Sequence, residues 1–199
     1  MNEDLPARIR ACRLCADRFA TTATAHQPNP VVWFTPGSRI LIAGQAPGAR
    51  VHRSGVPFDD PSGDRLRDWL GLDASVFYDR SRVAIVPMAF CFPGYDAHGA
   101  DLPPPKMCGE TWHDAVMAAL PDLQLTVLVG GYAQKYHLGR TAAGVVTRTV
   151  RNWRQHAPRV FALPHPSWRN TAWLKKNPWF GTDLLPVLRA RIKEVLQDD

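Results

Sequence analysis

One stretch decides the fold: residues 39–72, RILIAGQAPGARVHRSGVPFDDPSGDRLRDWLGL. It begins with a short aliphatic run and ends with apolar residues at helical spacing, which predicts a β-strand followed by an α-helix. A few residues are enough to join two such elements. This connection is far longer and is rich in glycine and proline. A loop of that kind at the end of a strand predicts a ligand site.

The same order of strand and helix recurs along the chain. Because strands that alternate with helices favour a parallel sheet, we predict an α/β fold. The expected architecture is a single domain over residues 1–199, with three layers, α/β/α, around a central four-stranded parallel sheet. We also expect Thr182 to cap the last helix, with Pro186 in its first turn. The aliphatic runs cover 39–44, 83–90, 125–131 and 159–165, and the helical patterns cover 62–71, 108–119, 131–138, 143–156 and 183–196.

Polar or glycine- and proline-rich stretches follow three of the predicted strands. They are the loop after Gly44, the stretch CFPGYDAHGADLPPPKMC at 91–108, and HPSWRNTAWLKKNPW at 165–179. In a parallel sheet the ligand crevice lies beyond the carboxyl ends of the strands. We therefore expect these three stretches to converge on one face.

Composition sets broad limits on the partners. The chain has 199 residues and a formal charge of +6, which fits a nucleic-acid partner, although many basic proteins bind none. No run reaches the ~20 apolar residues of a membrane span, and the first residues lack the apolar segment of a signal peptide. We expect a cytoplasmic monomer that contacts no membrane and has no structural disulfides.

The chain contains four cysteines: Cys12 and Cys15 in CRLC, then Cys91 and Cys108. In a reducing compartment a CxxC pair indicates metal binding or redox chemistry. A thioredoxin-like CxxC follows a strand, and we predict no strand before this one. Two distant pairs of thiolates form one four-sulfur site for zinc or for an iron–sulfur cluster. The alternative is that Cys91 and Cys108 are buried apolar residues.

Over nearly its whole length the chain resembles the uracil-DNA glycosylase superfamily, and most closely its iron–sulfur branches, families four and five. Three motifs carry the resemblance: GQAPG at 44–48 after the first strand, SGVPFDDPSGDRL at 54–66, and HPS at 165–167 after the last strand. The four cysteines also follow the family-four pattern. The resemblance therefore implies a 4Fe–4S cluster held by Cys12, Cys15, Cys91 and Cys108, with zinc as the alternative.

The resemblance implies a DNA repair enzyme that flips uracil out of single- or double-stranded DNA and hydrolyses the N-glycosidic bond. The sugar gains positive charge and the departing base gains negative charge, so a carboxylate and a hydrogen-bond donor are needed. By resemblance, Asp60 is the carboxylate, His165 donates to O2 of the base, Phe58 stacks on it and Gln45 orients water. The alternatives are that Asp60 only caps a helix and that Phe58 and His165 belong to the core.

Further residues are expected to contact the DNA. The backbone of the GQAPG motif would bind the base, through Gln45, Ala46, Pro47 and Gly48. The side chain of Met88, at the end of the second predicted strand, would bind it as well. Cationic side chains and residues of the loop after the HPS motif would contact the phosphates or the base stack. These residues are Arg53, Ser167, Trp168, Arg169, Asn170, Lys175 and Lys176. For the two lysines, a solvated surface is the equal alternative.

The chain departs from the family pattern at two positions. Gln45 stands where other branches have aspartate or glutamate, and 86–89, VPMA, lacks the asparagine with which family four binds uracil. These departures place the chain nearer to family five, with a less polar pocket and a broader choice of base. They leave open a non-catalytic nucleic-acid-binding protein, a glycosylase for hypoxanthine, xanthine or a free nucleoside, and a covalently trapping relative. The trapping relatives use a basic loop, whereas the equivalent stretch here, 94–106, has His98 but no basic run. His52 and His98 have no assigned role.

Overall fold

The computed structural model describes residues 4–197 and has an α/β fold. Its centre is a four-stranded sheet in which all neighbouring strands are parallel, in the order β2-β1-β3-β4. The predicted single α/β domain with four parallel strands is therefore confirmed. The strands are β1 (Ile40–Ala43), β2 (Val83–Ile85), β3 (Leu125–Val129) and β4 (Val160–Leu163).

Helices cover both faces of this sheet, which gives the predicted three layers. Alternate side chains of a strand point to opposite faces, so Ile40 and Ile42 belong to one core cluster and Leu41 to another. The described helices are α1 (Leu5–Arg10), α2 (Ala16–Ala20), α3 (Ala49–Ser54), α4 (Pro61–Leu70), α5 (Ala74–Phe77), α6 (Lys106–Ala118), α7 (Gly131–Leu138), α8 (Val146–Arg151), α9 (Thr171–Lys176) and α10 (Leu185–Gln197).

The register of the strands brings their carboxyl ends together. Ile40 lies opposite Val83 of β2 and opposite Leu125 of β3, and Val127 of β3 lies opposite Phe161 of β4. The loops that follow the four strands therefore leave from one edge of the sheet. Among the described helices, the longest have 13 residues, and none is long and apolar enough to cross a membrane.

Several element boundaries differ from the sequence predictions. The second strand stops at Ile85 and 86–90 forms a loop, although the N–H groups of Val86 and Met88 still donate to carbonyls of residues 42 and 44. The pattern at 143–156 divides into α8 and a 3₁₀ turn at Trp153–Gln155. Short helices that the pattern did not predict include α3, which lies inside the long loop after β1.

The start of the last helix is a further correction. A π-helical turn, Phe180–Leu184, precedes α10, which begins at Leu185. Thr182 does not cap this helix, because its hydroxyl donates to the Asp183 carboxylate at 2.7 Å. Pro186 lies in the first turn of α10 as predicted, but the helical turn before it means that this position is not a free helix start.

Candidate active site

A cleft of about 320 Å³ opens at the carboxyl ends of the strands. Residues from all three polar stretches line it, between 44 and 62, between 95 and 101, and between 165 and 169. The predicted convergence of these stretches is thus confirmed. The size is at the lower end of the range for small-molecule pockets. Apolar side chains make part of its wall: Val31, Val51, Ile85 and Pro87.

Phe58 lies at one wall of the cleft in an unusual backbone conformation. Its φ of 54° is left-handed, which is unfavourable for a residue with a side chain. The hydroxyl of Tyr78 donates to the Phe58 carbonyl at 3.2 Å and helps to hold this conformation. Gly63 is required here, because a Cβ at residue 63 would lie 1.8 Å from the same carbonyl oxygen. The ring of Phe58 is thereby fixed beside Gly44.

Asp60 is both a helix cap and a lining residue of the cleft. Its Oδ1 accepts a hydrogen bond from the Gly63 backbone N–H at 2.9 Å, so it is the N-cap of α4. The carboxylate also belongs to the cleft wall. The two interpretations of Asp60 are therefore compatible. The neighbouring Asp59 forms an ion pair with Arg50 at 3.6 Å instead.

His165 is held in one orientation by the turn that follows it. The Ser167 backbone N–H donates to His165 Nδ1 at 3.2 Å, and the Asn170 side chain donates to the His165 carbonyl at 2.7 Å. Burial lowers the pKa of His165, although Asp60 and Asp101 oppose this shift. The ring is therefore neutral at neutral pH. Because Nδ1 accepts a hydrogen bond, the proton of the neutral ring lies on Nε2 and is available for donation.

Asp101 is a second carboxylate at the cleft, which the sequence analysis did not identify. It comes from the loop after β2 and is exposed at the rim. Loss of water around it raises its pKa, and Asp60 adds to this rise, whereas Arg169 and His165 oppose it. Asp60, Asp101, His165 and Arg169 all line the same cleft. The irregular loop has no periodic pattern that could have indicated the approach of Asp101.

Residues 32–189 match the family described as the Uracil DNA glycosylase superfamily. The chain belongs to this superfamily. Membership indicates DNA glycosylase activity and a DNA substrate, since the match covers all four strands and the three polar stretches that line the cleft. The match begins after Cys12 and Cys15, so membership of an iron–sulfur branch stays a prediction.

Arg65 connects two of the segments that line the cleft, and no sequence pattern predicted this role. It lies on α4, and its Nη1 donates to the Ser167 carbonyl at 3.0 Å. This bond ties the helix that Asp60 caps to the turn that orients His165. A cation within a helical pattern gives no sign of such a bond, because it joins positions 102 residues apart.

The predicted base-binding residues lie in different surroundings. Gln45, Ala46, Pro47 and Gly48 line the cleft as expected. Met88 is 7% exposed and packs in a core cluster with Ala43, Leu128 and Ala133. Its neighbour Pro87 takes the place at the cleft wall, because the loop after β2 turns at this point.

The predicted DNA-contacting residues are mostly exposed. Trp168 is 75% exposed at the rim of the cleft. Arg53 on α3, Arg169 after β4, and Lys175 and Lys176 on α9 are exposed as well. Two polar residues of the same loop have structural hydrogen bonds: Ser167 Oγ accepts from the Arg169 N–H, and Asn170 bonds to the His165 carbonyl.

The two histidines without an assigned role lie apart. His52 packs against His26 and Phe92 in an aromatic cluster, where burial lowers its pKa. Its Nδ1 is buried and has no hydrogen-bond partner within residues 4–197. His98 is exposed on the loop after β2. Neither lines the cleft between the described loops.

All four cysteines line one small apolar cavity between the first helices and the start of α6. Burial, with the neighbouring thiols, raises the pKa of Cys91 to about 12; burial raises that of Cys108 to about 11. The Phe90 N–H donates to Cys108 Sγ at 3.4 Å. The donor set and the shared cavity fit a four-sulfur centre, in which positive metal charge would offset the thiolates. Across the described residues, however, no three His, Cys, Asp or Glu side chains are placed so that they could together bind a metal ion.

Proposed function

We propose that the protein excises uracil from DNA by hydrolysis of the N-glycosidic bond. One observation carries the proposal: Phe58 and Asp60, from the loop after β1, and His165, from the loop after β4, line the same cleft. These are the three groups that the reaction needs, namely a stacking surface, an anion and a donor.

Each group has a distinct role in the proposed reaction. The flipped base stacks on Phe58, and backbone groups of 45–48 contact its edge. As the bond between the base and the sugar carbon breaks, its electron pair goes to the base, and Asp60 stabilises the positive charge on the sugar. His165 Nε2–H donates to O2 of the leaving base. A water, oriented by Gln45, bonds to the sugar carbon, and its proton passes to solvent.

The cleft wall supports a broader choice of base. Pro87 and Ile85 line the wall near the point where family four has its asparagine, so no side-chain amide from this loop pairs with the uracil edge. Contacts from the backbone of 45–48 discriminate less sharply between oxidised or deaminated rings. Hypoxanthine and xanthine are therefore the second candidate bases.

Asp101 and the cysteines complete the proposal. We propose that Asp101 adds negative potential at the sugar side of the cleft, with a smaller effect than Asp60 because it is exposed to water. We also propose that Cys12, Cys15, Cys91 and Cys108 hold a 4Fe–4S cluster, with zinc as the alternative. Such a group would hold the structure together, since base hydrolysis requires no redox step.

A panel of oligonucleotides tests the proposal. Each contains uracil, hypoxanthine or xanthine, in single- and double-stranded form, and is incubated with excess protein. Abasic sites after uracil substrates would support it, and release of the other bases only would shift the function to the second candidate. An adduct that survives denaturation would indicate covalent trapping. Binding without release of any base would leave a non-catalytic nucleic-acid-binding protein.

A further inference from the structure

Positive charge is concentrated in one continuous part of the chain. Residues 123–182 contain nine lysines and arginines and no aspartate or glutamate. This segment therefore carries +9, and because the whole chain carries +6, the remaining residues sum to −3. The segment includes β3 and β4, which are neighbours at one side of the sheet. This segment and the rest of the chain thus differ in the sign of their net charge.

These nine cations are available to a partner. All of them are exposed, and none forms an ion pair with another residue in the range 4–197. Surface cations of an ordinary soluble protein are interspersed with carboxylates, which cancel the field. A large field of one sign instead favours binding of a polyanion.

Five of the cations lie on two helices and a turn that pack together. The Trp173 indole N–H of α9 donates to Thr147 Oγ1 of α8 at 2.7 Å. The guanidinium of Arg151 on α8 lies 5.2 Å from the ring centre of Trp179, just beyond α9. We call this surface the α8–α9 ridge; its cations are Arg148, Arg151, Arg169, Lys175 and Lys176.

The ridge begins at the cleft. Arg169 lines the cleft itself. The first turn of α8 lies near the carboxyl end of β3, since a Cβ at Gly131 would lie 3.2 Å from Val146. A Cβ at the preceding Gly130 would lie 3.7 Å from the Cβ of His165. The first turn of α8 and the catalytic histidine are therefore at the same edge of the sheet.

We propose that the α8–α9 ridge is a phosphate-binding surface that holds DNA on one side of the flipped nucleotide only. The inference rests on the proposed function for the choice of DNA as the polyanion. The six residues of α9 span about 9 Å, at about 1.5 Å per residue. That length corresponds to about three base pairs at about 3.4 Å each. The ridge thus contacts the first few base pairs on one side, whereas the residues outside 123–182 carry a net negative charge.

The first test measures the number of phosphate contacts. Affinity for an undamaged duplex is measured across a salt series for wild type, for Arg148→Gln/Arg151→Gln, and for the control Arg10→Gln/Lys193→Gln. The control removes two exposed cations that lie outside residues 123–182. Because each lost contact with duplex DNA lowers the slope of log affinity against log salt by about 0.9, we expect a decrease of about 1.8 for the ridge variant alone. Equal slopes for the two variants would overturn the proposal.

The second test measures the one-sidedness directly. Duplexes that contain uracil are shortened to about two base pairs on one side of it or on the other, and binding is compared at low salt. Shortening one particular side should weaken binding by wild type but should have little effect on the ridge variant. An equal loss from either side would contradict the inference.

The two tests separate this inference from the proposed function. Uracil excision by the wild-type protein, together with an unchanged salt slope in the ridge variant, would overturn the proposed role of the ridge but not the proposed reaction. A decreased slope without excision of any base would remove the catalytic proposal alone. No binding of any DNA by the wild-type protein would remove both.

Discussion

At the scale of single residues, Asp60 shows that one side chain can cap a helix and face a cleft at once. Asn is as good a helix cap as Asp, so Asp60→Asn removes the charge and keeps the cap. We expect single-turnover uracil excision to slow about 100- to 1,000-fold, the usual loss of ~2.7–4 kcal/mol for one preorganised electrostatic group. The free energy of unfolding should be unchanged. Asp60→Ala, as a control, should lose about 1 kcal/mol of stability as well. Equal rates for wild type and Asp60→Asn would leave Asp60 as a cap only.

Gly63 gives a second prediction at this scale. A Cβ at this position would lie 1.8 Å from the Phe58 carbonyl oxygen, so Gly63→Ala must displace the Phe58 backbone. We expect a loss of about 1–3 kcal/mol in unfolding free energy, as for other overpacked sites, and weaker capture of the base. Gly181→Ala is the matched control, because no neighbouring atom of residues 4–197 lies within 4 Å of its Cβ position. Equal stability of both variants would show that the loop adapts without cost.

The sequence predicted the cleft residues unevenly. Phe58, Asp60 and His165 follow short motifs at strand ends, and parallel strands bring such ends together whatever the details of the loops. Asp101 and Arg65 could not be predicted, because their contacts depend on how a non-periodic loop and a helix face meet in three dimensions. Met88 is expected at the cleft because 86–89 matches the stretch with which the resembling family binds the base, and in the structure it packs in the core instead.

At the scale of elements, the turn Trp168–Asn170 presents an aromatic side chain at the rim of the cleft. A duplex leaves a gap where its base has flipped, and an inserted apolar side chain fills that gap. We expect Trp168→Ala to weaken binding of a uracil-containing duplex by about 1–3 kcal/mol, the usual cost of a lost stacking contact. Single-stranded DNA should lose less, and Trp168→Phe should restore most of the affinity. Equal losses for both substrates would argue against insertion.

Helices α6 and α7 give a prediction about pH. His113 of α6 is fully buried, and burial lowers its pKa. Burial also lowers the pKa of His137 on α7 to about 4. Below their unfolded pKa of about 6.5, the unfolded chain binds protons that the folded chain does not, so stability falls as pH decreases.

The measurement is chemical unfolding of wild type and His137→Phe between pH 7 and about 4.5. Wild type should lose stability steadily over this range. His137→Phe should lose less, because one buried group no longer has to be protonated on unfolding. If the stability of the two proteins fell equally with pH, the ring of His137 would be accessible to water in the folded state and would not account for the pH dependence.

The strands and helices that pack most of their surface into the core were the easiest to predict from the sequence. Strands that are buried on both faces and helices with one apolar side leave clear patterns, so β1, β3 and α4 match their predicted ranges within one or two residues. The short helices α3, α5 and α9 have six residues or fewer. Such helices are held by their tertiary contacts more than by their own sequence, which is why the pattern did not reveal them.

At the scale of the whole molecule, the four cysteines connect parts of the chain that are distant in sequence. Cys12 and Cys15 lie beside the first two helices, Cys91 follows β2, and Cys108 lies on α6. A centre bound to all four would fix the N-terminal segment to the loop that carries Asp101. Its loss should therefore loosen the cleft from a distance, even though no cysteine lines it.

The last prediction tests this connection by metal analysis and thermal unfolding of protein purified without air. Wild type should contain about four iron and four sulfide per chain, as a 4Fe–4S cluster requires. Cys91→Ser should lose most of the metal and unfold at a lower temperature. Met107→Leu, which changes another side chain of the same cavity without removing a thiolate, should keep both. About one zinc per chain would select the zinc alternative. No metal in wild type, with full stability of Cys91→Ser, would leave Cys91 and Cys108 as buried apolar residues whose raised pKa values keep them protonated.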